Sequence, residues 1–366
     1  MKYTIHTEVG SPAYLQLYKQ VREDIVQGIY PYNTKLPSKR IIADEVGVST
    51  VTVEHAYALL ADEGYIEARE RSGYFVVFRV SDGFAGAATE RESPLHNAKF
   101  YESTASIAFP FSTLAKTMRK VITEMGEAIL ERSPNTGCAG LREEISRYLA
   151  RSRGIVAHPD QIIIGSGSEY LYGLVVELLG REKKYAIETP SYRKIEQVYA
   201  ASDVQIEKLP LGHDGIQTKA LFRCQADVLH ISPYRSYPSG VTASASKRHE
   251  YLRWSGEKGR YIVEDDFESE FSLSQKSEET LFSHTQFDNV IYMNSFSITV
   301  SPSLRIGYMI LPKHLVSAFH QRLGFYACTV PTYIQYVMVE LISNGDFERH
   351  INRVRRAKRR EINQIK

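Results

Sequence analysis

The sequence predicts an α/β chain in two parts. A small helical N-terminal unit closes on a hairpin, and a larger layered domain follows, its sheet mainly parallel with helices on both faces. Three observations carry this. The chain has 366 residues, 43% hydrophobic and 24% charged, enough for two or three domains with their own cores. Within residues 1–78, apolar residues at helical spacing give way to two short β-prone runs. Beyond residue 106, β-prone runs alternate with helical patterns.

Each element has a local reason. Leu15, Leu17, Val21, Ile25 and Val26 predict a helix between Tyr14 and Gly28, and Pro31 and Leu36-Pro37 break the pattern. Ser38 is placed to cap a short helix over 39–46 that Gly47 ends. Ser49 caps a longer one carrying Val53, Ala56, Tyr57, Leu59 and Leu60, and Gly64 stops it. Tyr65-Ile66 and Tyr74 to Phe78 form a hairpin around Arg69, Arg71, Ser72 and Gly73. Helix, helix–turn–helix, hairpin is the order of a winged helix–turn–helix module, over 1–78. Residues 79–106 (SDGFAGAATERESP and its flanks) lack periodicity and read as a linker. The large domain, 107–366, has strands expected at 162–164, 185–187, 228–231, 261–263 and 290–293, with a helix over 168–179. It ends in a basic helix, where 349–366 carries eight Lys/Arg against Glu361.

Composition removes other classes. Net charge is +2, from 45 basic and 43 acidic residues, so bulk charge alone names no polyanionic partner. Cys138, Cys224 and Cys328 lie too far apart in sequence for a disulfide framework or a metal-ligand pair. Apolar stretches such as 171–179 are too short to span a bilayer, and the first ten residues have no signal-peptide core. A cytoplasmic multidomain protein without membrane or metal is the expectation.

The segment LPSKRIIADEVGVSTVTVEHAYALLADEGYIEARERSGYFV resembles the GntR-family winged helix through LPS-x-R, VS-x-x-TV, AY-x-x-L, EGY and SG-x-FV, in order. The resemblance implies a double-stranded DNA partner. It assigns contacts to Ser38 and Arg40 at the second helix, Thr50, Thr52 and His55 on the recognition helix, and Ser72 and Gly73 at the wing tip. A basic residue common after the capping serine is here Thr50, and Glu54 stands where some relatives are basic. With eight Lys/Arg against ten Asp/Glu in 1–78, the module is not basic, which implies weak monomer binding and dependence on dimerisation. A winged helix serving protein contacts alone is the alternative.

The remainder carries GLREEISRYLARSRGI, SGSEYL, ETPSY, SPYRSYPSG, EDDFESEF, SFSITVSPSLRIGYMILP and FERHINRVRRAKRR in order. Together they resemble the fold-type I aminotransferase domain that follows a GntR module in MocR-type regulators. That family implies pyridoxal 5'-phosphate. Ser166, Gly167 and Ser168 would hold the phosphate at a helix start, Ser297 and Arg305 would complete the anion cradle, Tyr192 would stack on the ring, and Asp265 would keep its nitrogen protonated.

Three positions depart from the family. The Schiff-base lysine is replaced by Ile298, and no lysine lies between Lys276 and Lys313. The tyrosine serving the phenolic oxygen is replaced by Phe267, and the family's His-Gln by Arg235-Ser236. Without the amine no covalent attachment and no transaminase activity are expected. Losing all three groups argues against cofactor retention, with non-covalent binding as the alternative. Asp265 can equally belong to an acidic cluster that caps a helix or faces solvent. The family's C-terminal small domain is expected to be absent or truncated. The reading is a DNA-binding, homodimeric regulator whose large domain is a scaffold or a degenerate sensor of a small anion; a protein that still binds pyridoxal phosphate and responds to it is the alternative.

Overall fold

A computed structural model describes residues 3–5, 11–70, 72–79, 108–256, 259–267, 269–271 and 280–365. The chain divides into two compact units, Met1–Phe100 and Tyr101–Lys366. Apart from Arg79 the expected linker lies outside the described residues.

In the first unit, α1 (Ala13–Val26), α2 (Lys39–Val46) and α3 (Thr50–Asp62) precede an antiparallel hairpin of β1 (Ile66–Arg69) and β2 (Gly73–Val76). The caps are those the sequence calls for. The hydroxyl oxygens of Ser38 and Ser49 accept from the backbone N–H groups of Ile41 and Thr52, and Gly47 ends α2 at φ +75°. Leu17, Val21, Ile25, Ile42, Val53, Tyr57, Leu60 and Val76 form the core. A backbone bridge from Lys35 to Phe75 adds a third short strand edge. Gly73 at φ +102° makes the turn between the wing strands, where a side chain would be strained.

The second unit is an eight-stranded sheet in the order β3-β10-β9-β8-β7-β4-β5-β6. Its strands are β3 (Ile162–Gly165), β4 (Lys184–Thr189), β5 (Gln205–Gly212), β6 (Gly215–Ile216), β7 (Val228–Ile231), β8 (Tyr261–Asp265), β9 (Val290–Ser295) and β10 (Gly307–Ile310). The run β5-β4-β7-β8-β9 is parallel, whereas β10 is antiparallel to both β3 and β9. Side chains alternate across the sheet. Ile163, Tyr185, Ile187, Val263, Ile291 and Met309 pack under α6 (Ser168–Leu179), α7 (Arg193–Ala201) and α11 (Lys313–Leu323). Ile162, Ile164, Tyr292, Tyr308 and Ile310 face α4 (Phe111–Met125), α5 (Ala139–Ser152), α12 (Thr332–Ser343) and α13 (Asp346–Ile365). Further along the same side, Leu229, Ile231 and Ile262 meet α8 (Thr218–Arg223) and α9 (Ala245–Ser255). The short α10 (Leu281–His284) precedes β9. No helix among the described residues is long and apolar enough to cross a membrane.

Because β10 inserts antiparallel between β3 and β9, the C-terminal ends of β3, β9, β8, β7 and β4 all point to one edge. Open α/β sheets place their crevices there.

Candidate functional site: a cavity at the strand ends and an exposed recognition helix

At that edge lies a cavity of about 470 Å³, within the size range of small-molecule sites. Its walls come from the residues just past each strand: Ser168 and Glu169 after β3, Tyr192 and Lys194 after β4, Ser232 after β7, Phe267 after β8, and Ser297 and Ile298 after β9.

Asp265 ends β8, is 5% exposed and lines the cavity. The Tyr172 hydroxyl donates to it at 2.5 Å, and His230 Nε2 stands 3.6 Å from the same oxygen. His230 is oriented through Nδ1 by Tyr199, 2.7 Å away. The solvent-facing alternative for the acidic segment is not what is found: Glu264, Asp266 and Glu270 are also buried. Glu264 accepts from Tyr234 and from the N–H groups of Leu281 and Phe282. Asp266 accepts from Tyr292 at 2.6 Å and pairs with Arg153 at 2.8 Å. Burial, reinforced by the Asp266 charge, pushes the carboxyls of Glu264 and Glu270 up to about 7.

The opposite end is cationic. Arg305 follows a short 3-10 turn in the left-handed region, φ +48°, a conformation costing a non-glycine residue roughly 1–2 kcal/mol. Gly167, at φ +96°, lets it approach, since a Cβ there would sit 3.2 Å from the guanidinium carbon. Arg305 donates to Glu169 at 2.7 Å, and Lys194 bonds the other oxygen of the same carboxylate.

The expected cofactor residues are thus largely brought together. Ser168, Tyr192, Asp265, Phe267, Ser297, Ile298 and Arg305 line one cavity, with Gly167 directly against Arg305. Ser166 departs from expectation: it is off the cavity wall, and its backbone N–H donates to Thr329 Oγ1 at 3.1 Å. That N–H is therefore engaged within the protein. Ser236, where the family has a longer amide, is buried and donates to Glu188 at 2.7 Å. Sequence reasoning passed over Glu169, Lys194, Tyr172, Tyr237, Asn294 and Lys358, all on the wall. Glu169 and Tyr172 sit in or beside SGSEYL, so they were visible, but their partners come from elements far away in sequence.

In the first unit, Arg40, Thr50, His55, Ser72 and Gly73 are exposed. Ser38 is exposed as well, although its hydroxyl caps α2. Thr52 is half-buried and its hydroxyl is 2.8 Å from the capping Ser49 hydroxyl. Lys39 of α2 pairs with Glu54 of α3 at 2.8 Å.

A winged helix–turn–helix followed by a mainly parallel α/β sheet with a cavity at its strand ends defines a class, that of a DNA-binding module joined to a cavity-bearing domain. Residues 13–76 match the model of bacterial regulatory proteins of the gntR family. The HTH-type transcriptional regulator YdeL of Bacillus subtilis is 32% identical over 359 residues, 96% of this chain and 77% of that one. The probable rhizopine catabolism regulatory protein MocR of Rhizobium meliloti is 28% identical, over 94% and 74%. An archaeal alanine:glyoxylate aminotransferase superposes with a TM-score of 0.61 at 21% identity, over 66% of this chain and 62% of that one, which shows the fold. The chain belongs to the GntR family of bacterial transcriptional regulators, MocR type, with an aminotransferase-like second domain.

Proposed function

We propose that the large domain is a non-catalytic sensor, which adjusts DNA binding of a homodimer in the cytoplasm in response to a small phosphate-bearing ligand. The observation that carries this is the composition of the cavity wall. It combines a cationic end and a buried aspartate with Ile298, at the position where the resemblance to the family would place a reactive lysine. A domain kept purely as a scaffold has no need of a 470 Å³ cavity with charged groups at two ends.

These residues fit pyridoxal phosphate held without a covalent bond. Ser168, Ser297 and Arg305 would take the phosphate, Tyr192 would cover one ring face, and Asp265 would accept from a protonated ring nitrogen. When bound, the group supplies an electron-withdrawing ring. What this chain lacks is an amine at 298 to attach it or to move a proton beside it. Phe267 and Ile298 line the same cavity and would offer a bound ring no hydrogen-bond donor. The exposed face of α2, α3 and the wing, through Ser38, Arg40, Thr50, Thr52, His55, Ser72 and Gly73, would meet DNA.

The test is the absorbance and thermal melting of the purified protein with and without pyridoxal phosphate, before and after borohydride. The expected outcome is a rise in melting temperature with no reducible band. A reducible band overturns the non-covalent reading. Neither a band nor a shift reduces the domain to a scaffold.

A further inference from the structure

We propose that Glu169 is a built-in counter-anion for the cationic end of the cavity, so that a phosphate-bearing ligand competes with its carboxylate for Arg305 and Lys194. This rests on the anion-sensing reading above.

Glu169 is the second residue of α6. A carboxylate there would suit the helix dipole without further partners. Its two oxygens are instead each taken by a cation from a different element: Oε1 by Lys194 of α7 and Oε2 by Arg305 ahead of β10. All three side chains line the cavity. Partial burial would raise the Glu169 pKa, but the bonds from Lys194 and Arg305 and from its own backbone N–H outweigh it and hold the group down to about 2. It is therefore an anion at every physiological pH.

The consequence is competition. A phosphate approaching Gly167, Ser168 and Arg305 meets a carboxylate already paired with both cations, so binding competes with two charge-assisted bonds. Glu169 is 23% exposed, leaving it a way out to solvent. The geometry makes Glu169 the residue that sets the affinity threshold for phosphate, while its bonds hold Arg305 and Lys194 at the cavity wall.

The experiment compares wild type, Glu169→Gln and Glu169→Ala by calorimetric titration with inorganic phosphate, pyridoxal phosphate and phosphate-free pyridoxal. Circular dichroism and melting check the fold, and the alanine variant excludes a contribution from the new amide. Both variants are expected to bind phosphate and pyridoxal phosphate about tenfold more tightly, with pyridoxal unchanged. Equal or weaker phosphate binding by the variants, where wild type binds, overturns the role of Glu169 and leaves the sensor reading standing. The same gain for pyridoxal also overturns it, because the effect is then not at the cradle. No phosphate or pyridoxal phosphate binding by any of the three overturns both.

Discussion

The two ends of the cavity hold charge in opposite ways. At the cradle, Glu169, Arg305 and Lys194 are partly exposed, one carboxylate shared between two cations from different elements. Behind Asp265, the carboxyls of Glu264, Asp266 and Glu270 are buried near the guanidinium of Arg153, which pairs with Asp266 and also stacks 4.6 Å over Tyr234. The exposed end can exchange a partner at reduced cost, because water and ions compensate part of what is removed. The buried end cannot, since an unpartnered charge there has no solvent to turn to. The first is built for a ligand that comes and goes, and the second for holding β8 and Asp265 in place.

Removing Arg153 breaks this contrast most severely. Arg153→Met leaves Asp266 buried beside two other acids, and stability should fall by about 3–5 kcal/mol. Urea unfolding checks it, with the second unit's transition moving and the first unit's staying. Tyr172→Phe is a smaller cut. It removes a hydroxyl donor to the nearly buried Asp265 carboxylate, and should cost about 1.5–3 kcal/mol in the same assay.

The same buried acids predict a pH dependence. Glu188, Glu264 and Glu270 are each pushed up to about 7, first by burial. A carboxyl raised on folding is stabilising while it stays protonated, and that contribution is lost as pH rises from the unfolded value near 4.5 through about 7. His350 acts in the other direction, since burial and the nearby Arg353 lower it to about 4. Its contribution is intact above 6.5 and is lost as pH falls toward 4. Melting temperature should therefore change little above pH 7 and climb as pH goes from 7 toward 4.5, because the three raised carboxyls outweigh the one histidine. A melting temperature that stays level or falls as pH drops from 7 to 5 would show these acids to be ionised at no cost.

Legibility followed the range of the interaction. Ser38, Ser49 and Gly47 bound their helices as expected because a cap is decided within three residues. The runs at 162–164, 228–231 and 290–293 are strands because apolar β-branched residues must be buried on both faces of a parallel sheet. β10 was not foreseen: Gly307–Ile310 differs little from its neighbours, and its place between β3 and β9 is fixed by pairing more than 140 residues away in the case of β3. In the cavity, Asp265, Tyr192 and Arg305 were legible through resemblance to a family. Glu169, Lys194 and Lys358 were not, since a glutamate at a helix start or a lysine on a surface helix has an ordinary explanation until its partner is known.

The smallest effect on stability tests whether the DNA face shares the cradle's design. Lys39 and Glu54 bridge α2 and α3 at 2.8 Å, a pair between exposed side chains that adds little to folding. Its consequence is for DNA, because the carboxylate holds down a cation beside Arg40 and the first turn of the recognition helix. Glu54→Gln should leave the melt unchanged while freeing Lys39 for a phosphate. Affinity for duplex DNA should then rise, and the slope of log affinity against log salt should steepen by about 0.9 for one added phosphate contact. Fluorescence anisotropy over a salt series measures both quantities. An unchanged slope would mean that Lys39 does not face the backbone, which would confine carboxylate-masked cations to the ligand cavity.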